Sequence, residues 1–197
     1  METIILATRN AHKAREIAAM LPPGYALRTL ADYPDAPDID ESGSAFAENA
    51  ALKACGISAR LPGLVLADDS GLCVDALGGA PGVHSARYAG EHGDDAANNR
   101  KLLGELAALP GEAPYSARFA CAMCLARGGK EIAHFLGTVE GRITLTPSGS
   151  QGFGYDPLFI PEGHRKTFAD LAEGEKNAIS HRARALSQVM EALKAGL

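Results

Sequence analysis

The chain has 197 residues and a formal net charge of −5; 46% of its residues are hydrophobic and 22% are charged. This length and composition predict one large domain or two intimate lobes with a sizeable core, and we treat the chain as a single folding unit. The acidic balance argues against nucleic-acid or anionic-membrane binding, which depends on a basic surface. The opening segment METIILATRN has only a short apolar run, so it predicts neither a signal peptide nor a membrane span. We therefore expect a cytoplasmic protein.

The hydrophobic pattern predicts strands and helices in an irregular alternation. In chain order it predicts a strand at TIILAT, a helix at NAHKAREIAAML, a helix over residues 44–61, a strand at LVLAD, a helix at DDAANNRKLLGELAALPG, a hairpin at YSARFACAMCLARGGKEIAHFLGTVEG, a strand at GRITLTP and a closing helix. Apolar spacing marks the inner faces of three helices: Ala14, Ile17, Ala18 and Leu21; Ala47, Ala50, Ala51, Ala54 and Leu61; Ile179, Leu186, Val189, Met190 and Leu193. Because strict alternation stops after Pro110, we expect an α/β fold with a mixed sheet.

Of the four cysteines, Cys121 and Cys124 have the spacing of a redox motif. They lie in a predicted strand, where residues three apart point to opposite faces, so they cannot readily form a disulfide or share a metal ion. No second CxxC or HxxxH motif completes a zinc site. We expect buried free thiols in a reducing cytoplasm.

Basic residues lie at the start of two predicted helices, where the helix dipole disfavours them. Lys13 is in the first turn of the first helix, and Ser180 is the expected N-cap before His181, Arg182 and Arg184. A bound phosphate would remove this unfavourable interaction, because helix amides and side-chain cations would then act together. Solvent screening explains either helix equally well when it is considered alone. Neither segment matches GxGxxG or GxxxxGK[ST], which disfavours a Rossmann or P-loop enzyme.

Acidic residues form another candidate site. The apolar run LVLA ends in Asp68 and Asp69, and the segment DIDESGSAFAEN supplies Asp40, Glu41 and Glu48. Such carboxylates suit Mg²⁺, which leaves its other positions to water and phosphate. Because adjacent strand residues face opposite ways, we expect only one of Asp68 and Asp69 to bind the ion directly, with the other as a base or an outer partner. The alternative is that DSG is only a turn.

Further residues with the chemistry of a ligand site lie on a helix and in two glycine-rich loops. Asn49 and Lys53 are four apart on the second predicted helix, although a solvated polar face explains them equally well. The loops GGAPGVHSARYAG and SGSQGFGYDPLF combine glycine with Phe153 or Tyr155 to cover a base and Arg87 to reach a phosphate. Ordinary surface loops are the alternative.

Six segments in order resemble the successive motifs of the inosine triphosphate pyrophosphatase family: TRNAHK, ESGSAFAENA, ADDSGL, GGAPGVHSARYAG, GFGYDP and EKNAISHRARAL. The similarity runs from Ile4 to about Leu193 and is strongest to the bacterial dITP/XTP pyrophosphatases of that family. It implies a homodimeric, Mg²⁺-dependent enzyme with an elongated mixed sheet, flanking helices and two lobes around a central cleft. The implied reaction hydrolyses deaminated purine nucleoside triphosphates (ITP, dITP and XTP) to the monophosphate and pyrophosphate.

The resemblance also implies roles for individual residues. Glu41 and Asp69 would bind Mg²⁺, and Asp69 would accept a proton. The residues that would bind substrate are Thr8, Arg9, Asn10, Ala11, His12, Lys13, Ser70, Phe153, Gly154, Tyr155, Asp156, Lys176, His181 and Arg182. Lys53 and Arg87 match substrate positions of some relatives, and Arg9 stands where many bacterial relatives have glycine.

The sequence leaves two alternatives for the residue that accepts the proton. Metal binding lowers the proton affinity of a carboxylate, so Asp69 cannot easily be both a tight ligand and a strong base. Either Asp69 takes the proton itself, or it positions metal-bound water while Asp68 or Glu48 relays the proton.

Base selectivity has a physical basis in this prediction. Lys176 and Arg182 carry only donors and His181 can donate, so these residues would satisfy the C6 keto oxygen of hypoxanthine or xanthine and oppose the amino group of adenine.

Two rival functions are a related pyrophosphatase acting on pyrimidine or modified nucleotides and a non-enzymatic nucleotide-binding protein.

Overall fold

The computed structural model describes residues 2–110 and 114–197, and this part of the chain forms a six-stranded sheet with five α-helices. The strands are β1 (Glu2–Leu6), β2 (Tyr25–Thr29), β3 (Leu64–Val74), β4 (Tyr115–Arg127), β5 (Lys130–Ile143) and β6 (Phe159–Pro161). The helices are α1 (Ala11–Met20), α2 (Phe46–Ser58), α3 (Asp95–Ala107), α4 (Glu173–Ile179) and α5 (His181–Lys194). Short 3-10 helices cover Leu30–Asp32, Asp75–Leu77, Gly82–Arg87 and Phe168–Asp170.

The sheet is mixed, as the sequence predicted. Its strand order is β2–β1–β3–β4–β5–β6. β1 is parallel to both β2 and β3, whereas β5 and β6 are antiparallel. The prediction of an α/β fold with a mixed sheet is therefore confirmed.

Most predicted elements are present, including the first strand, the first three helices and the hairpin. The hairpin turns at Gly128 and Gly129, whose φ values of 59° and 78° are those that a two-residue type I′ turn requires. The pattern did not predict β2 or β6, which have only five and three residues. Ala18 and Ala47 were wrongly placed on inner helix faces, because both are exposed.

Three predicted boundaries are wrong. β3 does not end at Asp68 and Asp69 but continues through them to Val74, so DSG is not a turn. GRITLTP is not a separate strand, because Gly141–Ile143 complete β5 and pair with β6. The closing helix is interrupted at Ser180, whose extended backbone (φ −66°, ψ 157°) separates α4 from α5 and leaves Ile179 on α4.

The chain divides into two compact units. The first unit comprises Met1–Asp69, Cys121–Gly137 and Arg182–Leu197, and the second comprises Ser70–Ala120 and Thr138–His181. β3, β4 and β5 each contribute residues to both units. A single folding unit and a central cleft stay predictions.

In the first unit the sheet is buried on both faces, which is typical of parallel strands covered by helices. One face packs on α1 and α5 and contributes Ile4, Leu6, Leu64, Leu66, Cys121 and Met123. The other face packs on α2 and contributes Ile5, Ala7, Val65, Ala67, Ala122 and Cys124. Alternate residues of each strand thus enter different cores, as the two-residue period of a strand requires.

The second unit has its own hydrophobic core, built around aromatic side chains. Phe119 meets Phe159 edge-on with ring centroids 4.8 Å apart, and Phe159 lies 5.1 Å from Phe168. Leu102 and Leu106 of α3 pack into the same core. This core supports the loop that carries the predicted base-binding residues.

Cys121 and Cys124 are both buried free thiols in different cores, which confirms that they face opposite sides of β4. Within the described ranges, no helix is long and apolar enough to cross a membrane.

Candidate active site

β3 directs its two adjacent aspartates to opposite faces of the sheet. Asp68 continues the series Leu64 and Leu66, which faces α1 and α5, whereas Asp69 continues Val65 and Ala67, which face α2. Both aspartates are buried, with 0% and 7% of their surface exposed. The two carboxylates are therefore neighbours in sequence with separate surroundings, as strand geometry predicted.

Asp68 is the centre of a buried charge network. Its Oδ2 lies 3.1 Å from Lys13 Nζ and 3.2 Å from Arg182 Nη2. Arg182, which is 1% exposed, also donates to Glu16 on α1. Burial alone would raise the pKa of Asp68, but Lys13 and Arg182 outweigh burial and lower that pKa below the usual aspartate value. Asp68 is thus held as an anion by fixed cations.

Asp69 has a different environment on the α2 face. Asn49 Nδ2 donates to Asp69 Oδ2 at 3.1 Å, and Lys53 Nζ lies 3.8 Å from Asp69 Oδ1. The same Lys53 Nζ lies 2.9 Å from Glu41 Oε2, so two carboxylates converge on one ammonium group. Burial raises the pKa of Asp69 above the usual aspartate value, although Lys53 and Lys13 oppose this increase. Asn49 and Lys53 share a face, which their spacing had suggested.

Glu48, considered above as a proton relay, instead caps α2. Its Oε2 accepts hydrogen bonds from the backbone N–H and hydroxyl of Ser44, at 2.7 and 3.0 Å, and from the Ala45 N–H at 3.2 Å. These hydrogen bonds, those of Ser44 first, lower the pKa of Glu48. A carboxylate whose charged form is stabilised in this way is a weak proton acceptor.

The N-terminus of α1 is capped by a side chain. Asn10 Oδ1 accepts hydrogen bonds from the His12 and Lys13 N–H groups at 2.9 and 3.1 Å, and Thr8 Oγ1 accepts from the Asn10 N–H at 3.1 Å. Ala11 and His12 are exposed and Thr8 and Lys13 are half-buried. A phosphate at this end of α1 would therefore interact with side chains rather than with those two capped amides.

Arg9 is engaged with a neighbouring loop. Its Nη2 donates to Ala36 O at 2.8 Å, and its Nε donates to Asp38 Oδ1 at 3.1 Å. The Arg9 and Asp38 side chains are 47% and 91% exposed, so this is a surface ion pair that contributes little to stability. The contact directs Arg9 to the 36–38 loop.

A second charged cluster lies within the second unit. Lys176 of α4 is 5% exposed, and its Nζ lies 2.5 Å from Asp156 Oδ2, which also accepts from the Phe153 N–H at 2.9 Å. The Lys176 ammonium lies 5.1 Å from the centre of the Phe153 ring, within cation–π range. Gly152 has φ of 74°, and a Cβ there would overlap Asp156 Oδ2, so glycine is required. Phe153, Asp156 and Lys176 are thus brought together.

α3 holds the loop that carries this cluster. Asn99 Nδ2 donates to Gly154 O at 2.9 Å, and the Gly154 N–H donates to Asp95 Oδ2 at 2.7 Å. Tyr155 is buried in the core, where its hydroxyl donates to Ser85 O at 2.9 Å. Of the two aromatic residues considered for covering a base, the half-buried Phe153 is therefore the accessible one.

The remaining predicted substrate residues have separate environments. Ser70 is half-buried on β3, and Arg87 is half-buried at the end of the 3-10 helix Gly82–Arg87. His181 is 5% exposed, and its ring stacks on Phe119 with centroids 4.8 Å apart and an interplanar angle of 11°. His181 and Arg182 are consecutive residues that belong to different units.

Sequence reasoning missed Glu16, Asp95 and Asn99. Glu16 and its partner Arg182 are 166 positions apart, and the only local signal was that Glu16 lies three residues after Lys13 on one helix. Asp95 is one of two acids at the start of the predicted helix DDAANNRKLLGELAALPG, a position where acids are common. Nothing in the sequence linked Asp95 or Asn99 to Gly154.

Buried carboxylates and ammonium groups thus lie on both faces of β3 in this α/β fold. Residues 4–192 match the Ham1 family, and the chain belongs to that family.

Named relatives match almost the whole chain. A protein from Geobacillus kaustophilus named dITP/XTP pyrophosphatase is 54% identical over 192 residues, covering 97% of this chain and 94% of the relative. A Bacillus subtilis protein of the same name is 46% identical and covers 99% of this chain and 98% of its own length. The structure of a HAM1 protein from Coxiella burnetii has a TM-score of 0.88 and 39% identity, and it covers 100% of both chains.

Proposed function

We propose that this protein hydrolyses the deaminated purine nucleoside triphosphates ITP, dITP and XTP to the monophosphate and pyrophosphate, with Mg²⁺ as cofactor. The observation that carries the proposal is the contrast between the adjacent aspartates of β3. Asp68 is ionised, with its charge balanced by fixed cations. Asp69 has a raised pKa and lies near Glu41 and Lys53. The names of the relatives, which match nearly the full chain, support the same reaction.

Glu41 and Asp69 fit a Mg²⁺ ion. Both offer hard carboxylate oxygens, the ligands that Mg²⁺ prefers, and both approach the ammonium group of Lys53, so they converge on one centre of positive charge. When bound, the ion would neutralise phosphate oxygens and lower the pKa of an attacking water. Asn49 would hold the Asp69 carboxylate in position through its 3.1 Å hydrogen bond.

Asp69 is the proposed proton acceptor. Its raised pKa gives it a greater proton affinity than Asp68, whose pKa is lowered by Lys13 and Arg182, or Glu48, whose charge is stabilised by the α2 cap. General-base catalysis needs a carboxylate with this affinity. Bound Mg²⁺ would lower this proton affinity, so the proposal requires Asp69 to be a weak ligand of the ion that accepts the proton directly rather than through its neighbours.

Lys13 and Lys53 are the proposed triphosphate ligands. Each is a largely buried ammonium group that contacts Asp68 or Asp69, with 14% and 13% of its side chain exposed. Cations held in a site of low dielectric interact strongly with charge that develops on leaving pyrophosphate. They would therefore contribute more in the transition state than surface lysines would.

The Phe153, Asp156 and Lys176 cluster of the second unit is the proposed base site, together with His181 of the same unit. Phe153 would stack on the purine, and Lys176, fixed by Asp156, would donate to the C6 keto oxygen. Adenine would present an amino group to the same donor. Because Arg182 already donates to Asp68 and Glu16, its proposed first role is to hold Asp68.

We further propose a homodimer that works in the cytoplasm without nucleic-acid or membrane partners. The family resemblance supports the dimer, and the net charge of −5 supports the absence of polyanionic partners. Light scattering of the purified protein would test the oligomeric state.

The test of the function is product release from ITP, dITP, XTP, GTP, ATP and UTP, each with Mg²⁺ and with EDTA. We expect Mg²⁺-dependent pyrophosphate release that is fast for the first three only. Release of orthophosphate would place the attack at another phosphorus, and preference for UTP would favour the pyrimidine rival. ITP binding without any product would identify a nucleotide-binding protein.

A further inference from the structure

Three potential metal ligands meet on the β4–β5 hairpin, within the first unit and apart from the residues assigned above. Cys124 Sγ, a carboxylate oxygen of Glu131 and an imidazole nitrogen of His134 all lie within 4.8 Å of one another. His134 Nε2 is 2.6 Å from Glu131 Oε1. Cys124 is buried, whereas the side chains of Glu131 and His134 are 45% and 37% exposed. The donors therefore extend from the interior to the surface.

The chemistry of these donors is that of a zinc site. Sulfur, imidazole nitrogen and carboxylate oxygen are the protein ligands of Zn²⁺, whereas Mg²⁺ takes oxygen ligands. Donors around a tetrahedral Zn²⁺ are about 3.5 Å apart, so the thiol needs to approach the other two donors by only about 1 Å, and the Glu131 and His134 atoms, now 2.6 Å apart, need to separate by about 1 Å. The exposed side chains of Glu131 and His134 have the freedom to make that movement.

We propose that Cys124, Glu131 and His134 bind a Zn²⁺-like transition-metal ion, with water in the fourth position. The proposal is independent of the proposed function, because it uses none of the residues assigned to nucleotide or Mg²⁺. Its physical effect is to join the two strands of the hairpin beside the Gly128–Gly129 turn.

A surface ion pair between Glu131 and His134 explains two of the three donors, and the α2-facing core explains the burial of Cys124 but not its position beside both of them. Cys124 is 0% exposed, yet its Sγ lies within 4.8 Å of the Glu131 and His134 donor atoms. The thiol is 3.6 Å from Leu125 O, a weak hydrogen bond. A divalent ion would replace the thiol proton, since a coordinating thiol is deprotonated outright. It would also offset the negative charge that Glu131 contributes.

The proposal is tested by titrating chelator-treated protein with Co²⁺, a spectroscopic substitute for Zn²⁺. We expect one equivalent to give a thiolate-to-cobalt charge-transfer band in the near ultraviolet. Co²⁺ bound at Glu41 and Asp69 gives no such band, because those ligands are oxygens. The band should vanish in Cys124→Ala and persist in Cys121→Ala, the matched control on the opposite face of the same strand.

Zn²⁺ affinity, measured by competition with a chromophoric chelator, gives the second readout. His134→Gln should weaken it by ~100-fold or more, since even the loss of an outer partner costs ~10–100-fold. Because His134 is exposed, we expect His134→Gln to fold even if Cys124→Ala does not. The Mg²⁺-dependent turnover of His134→Gln should equal that of the wild type. Absence of the charge-transfer band in the wild type, or unchanged Zn²⁺ affinity in His134→Gln, would overturn the proposal.

Discussion

An arginine lies between two carboxylates in each unit of the molecule, once in the interior and once at the surface. The interior example is Arg182 between Glu16 and Asp68, with side-chain exposures of 1%, 10% and 0%. Removing one partner of such a group leaves an uncompensated buried charge, which costs ~3–5 kcal/mol. The network can therefore hold Asp68 in its ionised form.

The surface example is Arg118 between Asp75 and Glu140, with 3.1 Å contacts to both and exposures of 37%, 48% and 51%. Water and salt screen such pairs, which contribute ~0–1 kcal/mol. The two groups share the same residue types and similar distances. Burial, rather than the number of ion pairs, therefore determines how strongly each group affects stability.

The largest expected effect is the difference in stability between variants that lack Arg182 and variants that lack Arg118. Arg182→Ala should lower the free energy of unfolding by ~3–5 kcal/mol, whereas Arg118→Ala should lower it by ~1 kcal/mol or less. Urea unfolding of both variants measures the difference. Equal losses would contradict the role given to burial.

The Asp68→Asn variant tests the buried network through the pH dependence of the unfolding free energy. The folded-state pKa of Asp68 is lowered, so its ionised form stabilises the protein above the unfolded value of ~3.9, and this contribution is lost as pH falls through the folded-state pKa. The difference in unfolding free energy between wild type and Asp68→Asn should thus be several kcal/mol at pH 7 and shrink below pH ~4. Unfolding curves in EDTA across this range provide the test, and a difference that does not change with pH would refute it.

Lys176 is a further buried cation, and its expected effect is on specificity. Lys176→Met should reduce the ratio of kcat/KM for ITP over ATP by ~10-fold or more, since a hydrogen bond from a charged donor contributes ~1.5–3 kcal/mol. The ratio cancels any loss of folded protein. Lys166→Met, at an exposed lysine of the same unit, is the control, and the same ratio in both variants would assign base recognition elsewhere.

The smallest expected effect concerns Asn99, whose side chain holds the loop of the proposed base site through a hydrogen bond to Gly154 O. Asn99→Ala should raise KM for ITP about fivefold with little change in kcat, in line with the loss of one hydrogen bond of ~1 kcal/mol. Arg100→Ala, at the exposed next position of α3, should leave KM unchanged. A fall in kcat with constant KM would show that the loop does more than position the base.

Elements with a clear local pattern were predicted from the sequence. The helix of Ala50 and Ala54, the Gly128–Gly129 turn and the opposite faces of Cys121 and Cys124 all follow from spacing alone. The family resemblance read from six motifs is confirmed by the match of residues 4–192 to the Ham1 family.

The site was only partly predictable because its charges are balanced over long sequence separations. The end of a strand was expected at Asp68, since an unpaired buried carboxylate is unfavourable. Arg182, 114 positions later, supplies the compensating charge and lets β3 continue. The ion pair of Arg182 with Glu16 was likewise not predictable from the sequence. The roles of the residues assigned to substrate stay predictions.

The proposed mechanism depends on the assignment of the proton to Asp69 rather than to Glu48. Its most direct test is steady-state pyrophosphate release from ITP by Asp69→Asn and Glu48→Gln, with urea unfolding of each. We expect kcat to fall by ~10²-fold or more in Asp69→Asn, with wild-type stability, and to stay near wild type in Glu48→Gln. Near wild-type turnover in Asp69→Asn would contradict it.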